Sequence, residues 1–175
     1  MNGYRVKRLC VIAAALCYGC TALSALAASA ETKGRTISVK GSGMDLLNGA
    51  IVHSTQKTLT GQIKRSTEIV ELNGDLHGRV LYEVTTVIDE KAGTLTNHGD
   101  QVFAGTIAGS EPVMIHDSHF RFDVNLKTGK ERGVVYLTDH IAGPPVQCEL
   151  QVIGTGMTHD GNPTFKYAGS CTFNG

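Results

Sequence analysis

The sequence predicts an all-β fold, a single antiparallel β-barrel of about eight strands, with a two-sheet β-sandwich as the alternative. Three observations carry this expectation. From Thr36 onward the chain is a series of short runs rich in Val, Ile, Thr, Phe and Tyr, broken by glycine turns about every dozen residues. No segment sustains a helical period. Neighbouring runs are joined by connections short enough for hairpins, and an up-and-down meander loses its exposed edges by closing on itself.

Residues 1–30 have the three parts of a signal peptide: basic Arg5, Lys7 and Arg8, an apolar run from Leu9 to about Leu26, and small residues at Ala25-Leu26-Ala27 or Ala28-Ser29-Ala30 for cleavage. An uncleaved anchor is disfavoured by the Cys, Thr, Ser and Gly within the run. A lipid anchor on Cys20 is disfavoured because Cys17-Tyr18-Gly19 lacks the Leu of a lipobox. The chain has 16 basic and 16 acidic residues; removal of the three basic residues of the leader leaves residues 31–175 as one domain with a net charge of −3. That balance offers no basic patch for nucleic acid or anionic lipid, and no later apolar run is long enough for a membrane helix. The expected location is secreted or periplasmic. Cys10, Cys17 and Cys20 leave with the signal, and the remaining pair, Cys148 and Cys171, suits an oxidising compartment.

Strands are expected near 35–41, 50–62, 66–72, 78–89, 100–109, 113–126, 132–141, 146–157 and 163–174. Turns fall at Asn48-Gly49, Asn73-Gly74-Asp75, Lys91-Ala92-Gly93, Thr128-Gly129 and Gly143-Pro144-Pro145. The last two strands have the clearest pattern. Val146, Cys148, Leu150 and Val152 share one face, and Phe165, Tyr167, Cys171 and Phe173 share another, with Thr158-His159-Asp160-Gly161 as the loop between. Closing that loop with Met157 opposite Asn162 pairs Val152 with Tyr167, Val146 with Phe173, and Gly154 with Phe165, which covers the glycine with a ring. The same register sets Cys148 against Cys171, so a disulfide is expected there.

Two strands carry polar groups on an apolar face. In 78–89 the inner set is Val80, Tyr82, Val84, Thr86 and Ile88; in 113–126 it is Phe120, Phe122, Val124 and Leu126, and the same alternation carried back adds Ser118, His116 and Met114. Apolar walls with a few fixed polar groups are what a small-ligand cavity needs, so Tyr82, Thr86, His116, Ser118, Phe120 and Phe122 are the candidate cavity residues. His116 and Tyr82 are the candidate catalytic groups. His116 and His119 differ by an odd number and face opposite sides of a regular strand, so they do not share a metal ion unless a bulge intervenes. The other five histidines lack metal-ligand spacing, and no nucleophile elbow or phosphate-binding glycine motif is present. Neither metal nor cofactor is expected.

Phe103-Ala104-Gly105-Thr106-Ile107, Asp123 through Gly129 (DVNLKTG) and Gly154-Thr155-Gly156, set in a glycine-punctuated β domain behind a signal peptide, resemble the small calycin-type barrels that include the allene oxide cyclase and dirigent-like group. The likeness is one of spacing and turn style over about two-thirds of residues 31–175; no catalytic motif of that group is matched, so no active site is carried over. The resemblance implies a central cavity that binds a small apolar molecule or steers its cyclisation. Three functions follow: a barrel that binds a small, mainly apolar ligand without chemistry; an isomerase or cyclase using the same cavity; or a sandwich module that binds another protein.

The exported protein is expected to begin near Ala28 or Glu31. Intact-mass measurement checks this, and a mass that retains Met1 contradicts it.

Overall fold

The computed structural model describes residues 34–174; the predicted signal peptide lies outside the described residues. Ten strands follow one another: β1 (Arg35–Asp45), β2 (Ile51–Lys57), β3 (Gly61–Gly74), β4 (Leu76–Asp89), β5 (Thr94–Ile107), β6 (Val113–Asn125), β7 (Lys130–Leu137), β8 (Asp139–Ala142), β9 (Val146–Met157) and β10 (Pro163–Phe173). A single 3-10 turn, Leu47–Gly49, separates β1 from β2. Every strand pairing is antiparallel.

The order β1-β10-β9-β7-β6-β5-β4-β3 is closed by pairing of β1 with β3, giving an eight-strand barrel rather than the alternative sandwich. β2 and β8 are additions: β2 extends the edge of β3, and β8 pairs with β6. Two expected strands therefore divide. The run 50–62 breaks at Thr58–Thr60, where the Thr58 N–H bonds Gly61 O and the chain reverses from β2 into β3. The run 132–141 breaks at Thr138, where the chain leaves β7 and joins the free stretch of β6 as β8.

The turns work as their residues dictate. After β4 the Gly93 N–H bonds Asp89 O at 2.8 Å with Gly93 at φ +73°, a conformation that side-chain-bearing residues rarely adopt. After β6, Asn125 Oδ1 accepts the N–H groups of Lys127 and Thr128, each at 3.0 Å, an Asx-type turn.

Closure depends on β1, which pairs with β10 along Arg35–Met44 and with β3 along Gly41–Asp45. Two glycines make room for it. A Cβ on Gly41 would collide with Asn73 O and the Tyr167 hydroxyl, and one on Gly43 with the Phe165 ring. Tyr167 uses the space to bridge to the β3–β4 turn. Its hydroxyl accepts from Leu76 N at 2.8 Å and faces the carbonyls of Asn73 at 3.2 Å and Leu76 at 3.1 Å.

In the β9–β10 hairpin, Cys148 pairs with Cys171, Val152 with Tyr167, Val146 with Phe173 and Gly154 with Phe165, as the residue pattern predicts. The loop end differs by one residue: Met157 pairs with Pro163, and a bulge at Thr155 on β9 restores the register. The Phe165 ring lies over Gly43 of β1, while Gly154 is covered by the Glu131 side chain. The two Cys sulfurs are 2.01 Å apart, a disulfide distance, with both residues buried.

The interior has two halves. Fully buried Leu76, Ile107, Val113, Leu137, Val146 and Cys171 lie where β4, β6 and β9 begin and β5, β7 and β10 end, so they fill one end of the barrel with packed side chains. The opposite end is less tightly filled.

Removing the cross-link by Cys148→Ala together with Cys171→Ala is expected to destabilise the fold by about 3 kcal/mol or less on the loop-entropy model, since the joined strands are already paired. Denaturant unfolding of oxidised protein and double variant checks this; equal midpoints would contradict it.

Candidate functional site

The inward faces of β1, β3, β4, β5, β6, β7, β9 and β10 surround a cavity of about 460 Å³. Its upper lining comes from Asp45 at the end of β1, Lys64 near the start of β3, Thr86 near the end of β4, Leu95 near the start of β5, Val124 near the end of β6 and Pro163 at the start of β10. All lie opposite the packed end, and that places the mouth. Leu47, Leu126 and Met157, each 40% or more exposed, also line the cavity and make its rim apolar.

One wall is apolar apart from Glu131 of β7, and the facing wall is charged. Phe122 of β6, Val135 of β7, Val152 of β9 and Phe165 of β10 build the first. The second belongs to β1, β3 and β4. The inward face of β3 changes character along its length, from Leu72 and Val70 near the packed end to Glu68, buried Ser66 and Lys64 toward the mouth. Tyr82 of β4 packs edge-on against Phe120 with ring centroids 5.8 Å apart. Its hydroxyl lies 2.8 Å from Asp45 Oδ2 and 2.9 Å from Glu68 Oε2. Ser66 Oγ and Lys64 Nζ both donate to Glu68 Oε1, the latter at 2.8 Å.

A phenol has one proton to donate, so the three groups share protons unequally. Burial raises the Asp45 carboxyl to about 6; the Tyr82 hydrogen bond opposes this, and the charge of Glu68 adds to it. Burial also pushes Glu68 upward, but hydrogen bonds from Lys64, Ser66 and Tyr82 outweigh it and hold this carboxyl below its ordinary value. Burial, then the charges of Asp45 and Glu68, drive Tyr82 upward, so it stays a phenol. As pH falls through about 6 Asp45 takes up a proton, while Glu68, held lower, keeps its charge longer and with it the hydrogen bond that Tyr82 donates.

No described protein family, curated protein or solved structure matches this chain. The chemistry of the cavity therefore has to come from its own residues.

Of the sequence-predicted cavity residues, the structure brings together Tyr82, Thr86, Phe120 and Phe122. His116 and Ser118 are outside, and so is Met114, which is 40% exposed. The reason is a β-bulge: Gly99 pairs with Phe120 and Gln101 with Asp117, so Ser118 and His119 together oppose Asp100 and the alternation of β6 inverts. Val113, Ile115 and Asp117 point inward instead.

Asp117 is fully buried and holds the bulge. It accepts from Gln101 Nε2 at 2.8 Å, from the Tyr136 N–H at 2.8 Å and from the His119 N–H at 2.6 Å. The Tyr136 bond stands in for a ladder bond where β7 parts from β6. Outside, His116 Nδ1 faces Asp139 Oδ2 at 3.1 Å and Nε2 faces Asp100 Oδ1 at 3.2 Å, contacts that raise its pKa and tie β8 to the barrel, the Asp139 hydrogen bond most. Among the described residues no group of three or more His, Cys, Asp or Glu is arranged to hold a metal ion.

Sequence reasoning missed Asp45, Lys64, Glu68, Asn97 and Gln101. The signal for Glu68 was present in the alternation of Leu72 and Val70 carried back along β3. That for Asp45 was absent, because its position depends on barrel closure.

The raised Asp45 pKa is linked to stability. Its contribution is complete below the unfolded value of 3.8 and is lost as pH rises through about 6, where folding must hold a buried charge. Asp45→Asn is expected to flatten the stability profile between these values and to stabilise the fold above pH 6. Thermal melts across pH 4–8 check this; a variant less stable than the wild type at pH 8 would contradict it.

Proposed function

We propose that the protein is exported and binds one small, mainly apolar molecule in the barrel, entering between the apolar residues of the rim. The observation that carries this is the cavity itself. Its volume of about 460 Å³ falls within the roughly 300–1,000 Å³ of small-ligand pockets, and it combines an apolar wall with a few fixed polar groups. Side chains would ordinarily fill a barrel of eight strands, and here they fill one end only. The disulfide-distance cysteine pair fits an oxidising compartment and supports export.

A neutral fluorescent probe such as N-phenyl-1-naphthylamine is expected to bind the exported protein with enhanced emission. Val135→Trp, which puts an indole into the cavity, is expected to weaken it about tenfold or more with the circular dichroism spectrum unchanged. Equal binding by wild type and variant would place the probe elsewhere and overturn the reading.

One observation favours the isomerase or cyclase reading that the resemblance to calycin-type barrels implies. Asp45, held at about 6, exchanges its proton near neutral pH and is hydrogen-bonded to Tyr82. In this reading Asp45 rather than His116 transfers the proton, and Tyr82 positions it. The two functions part over Asp45→Asn. A carrier purifies with the same compound in both forms, whereas an enzyme variant retains the unconverted isomer, as mass spectrometry with chromatographic separation would show.

A further inference from the structure

We propose that the head of the ligand is a cation that donates hydrogen bonds, an ammonium on an apolar body, seated against Asp45. The inference rests on the binding function proposed above and names the ligand class. Among the described residues, two buried side-chain polar atoms lack a hydrogen-bond partner, Asp45 Oδ1 and Asn97 Oδ1. Both are acceptors and both belong to residues that line the cavity. A buried acceptor left without a donor is destabilising, and a donor carried by the ligand would satisfy it.

The balance of charge selects a cation among donors. Facing Asp45 are Tyr82 of β4 and Glu68 and Lys64 of β3. Lys64 is paired with Glu68 at 2.8 Å and acts on Asp45 only as the smallest of its neighbouring influences, and Tyr82 is neutral, so an ionised Asp45 leaves two carboxylates sharing one lysine. Farther along the lining, Arg121 of β6 is engaged by Asp123 at 2.8 Å, and Glu131 of β7 adds a further acid. A ligand carboxylate would meet like charge. An ammonium supplies the missing counter-charge as well as the missing donor, and a buried charge is stable only when it is paired in this way. The apolar wall of Phe122, Val135, Val152 and Phe165 then takes the body of the same molecule.

The test is displacement of N-phenyl-1-naphthylamine from the exported protein by decylamine, decanol and decanoate, three probes with one chain length and different heads. At pH 8 decylamine is expected to compete about tenfold or more better than decanoate, with decanol between them. The decylamine-to-decanol preference is expected to fall about fivefold to tenfold at pH 5, where Asp45 is protonated while the amine keeps its charge. The same preference should be lost in Asp45→Asn, and the pH comparison on the wild type stands if that variant does not fold. Decanoate binding as well as decylamine at pH 8, or an amine preference unaltered at pH 5, would overturn the cation assignment and leave the binding function intact. Failure of the neutral probe to bind at all would overturn both.

Discussion

Closure of the barrel through β1 is the constraint on which the rest depends. This strand supplies the only link between β10 and β3 among the described residues, and it does so across Gly41 and Gly43 because Tyr167 and Phe165 occupy the space their side chains would fill. The Tyr167 hydroxyl then bonds the chain on both sides of the β3–β4 turn. The backbone of Lys40 adds a second tie, its N–H to Asp75 Oδ2 at 2.8 Å and its carbonyl to the Asp75 N–H at 3.0 Å. Two aromatic rings over two glycines thus replace the side-chain packing that a seam of larger residues would need.

From that seam follows the electrostatics of the cavity. β1 ends at Asp45, and because β1 lies beside β3 the half-buried carboxylate is held against Tyr82 and close to Glu68. Lys64 and Ser66 compensate Glu68, leaving Asp45 the higher-titrating member of the pair. A packed base and a half-empty mouth divide the labour of one interior. The disulfide and the branched aliphatic core hold the base, and the mouth carries polar groups whose burial the base has to support.

The β6 bulge shows how far alternation can be trusted. Phe120 and Phe122 fall on even positions, while Val113 and Ile115, equally apolar and both buried, fall on odd ones. A regular strand cannot bury both sets, so a change of phase between 115 and 120 was legible in the residues. Where the phase changes was not. Asp117 decides it, by accepting the His119 N–H within the bulge and the Tyr136 N–H of the next strand, and the second of these partners is known only once the strands are placed.

The sequence by itself determined what depends on neighbours along the chain: the strands, most of their turns, the inward face of β4 with Tyr82 and Thr86, and the β9–β10 register that brings Cys148 to Cys171. Period-two alternation and hairpin geometry are local rules, and an error in one turn is absorbed by a bulge, as at Thr155. Only the tertiary structure decided through which strands the predicted barrel closes, that its two ends differ in packing, and that Asp45 meets a tyrosine 37 residues away. Those outcomes follow from where the first strand finds its second partner, a contact between segments whose separate patterns carry no record of each other.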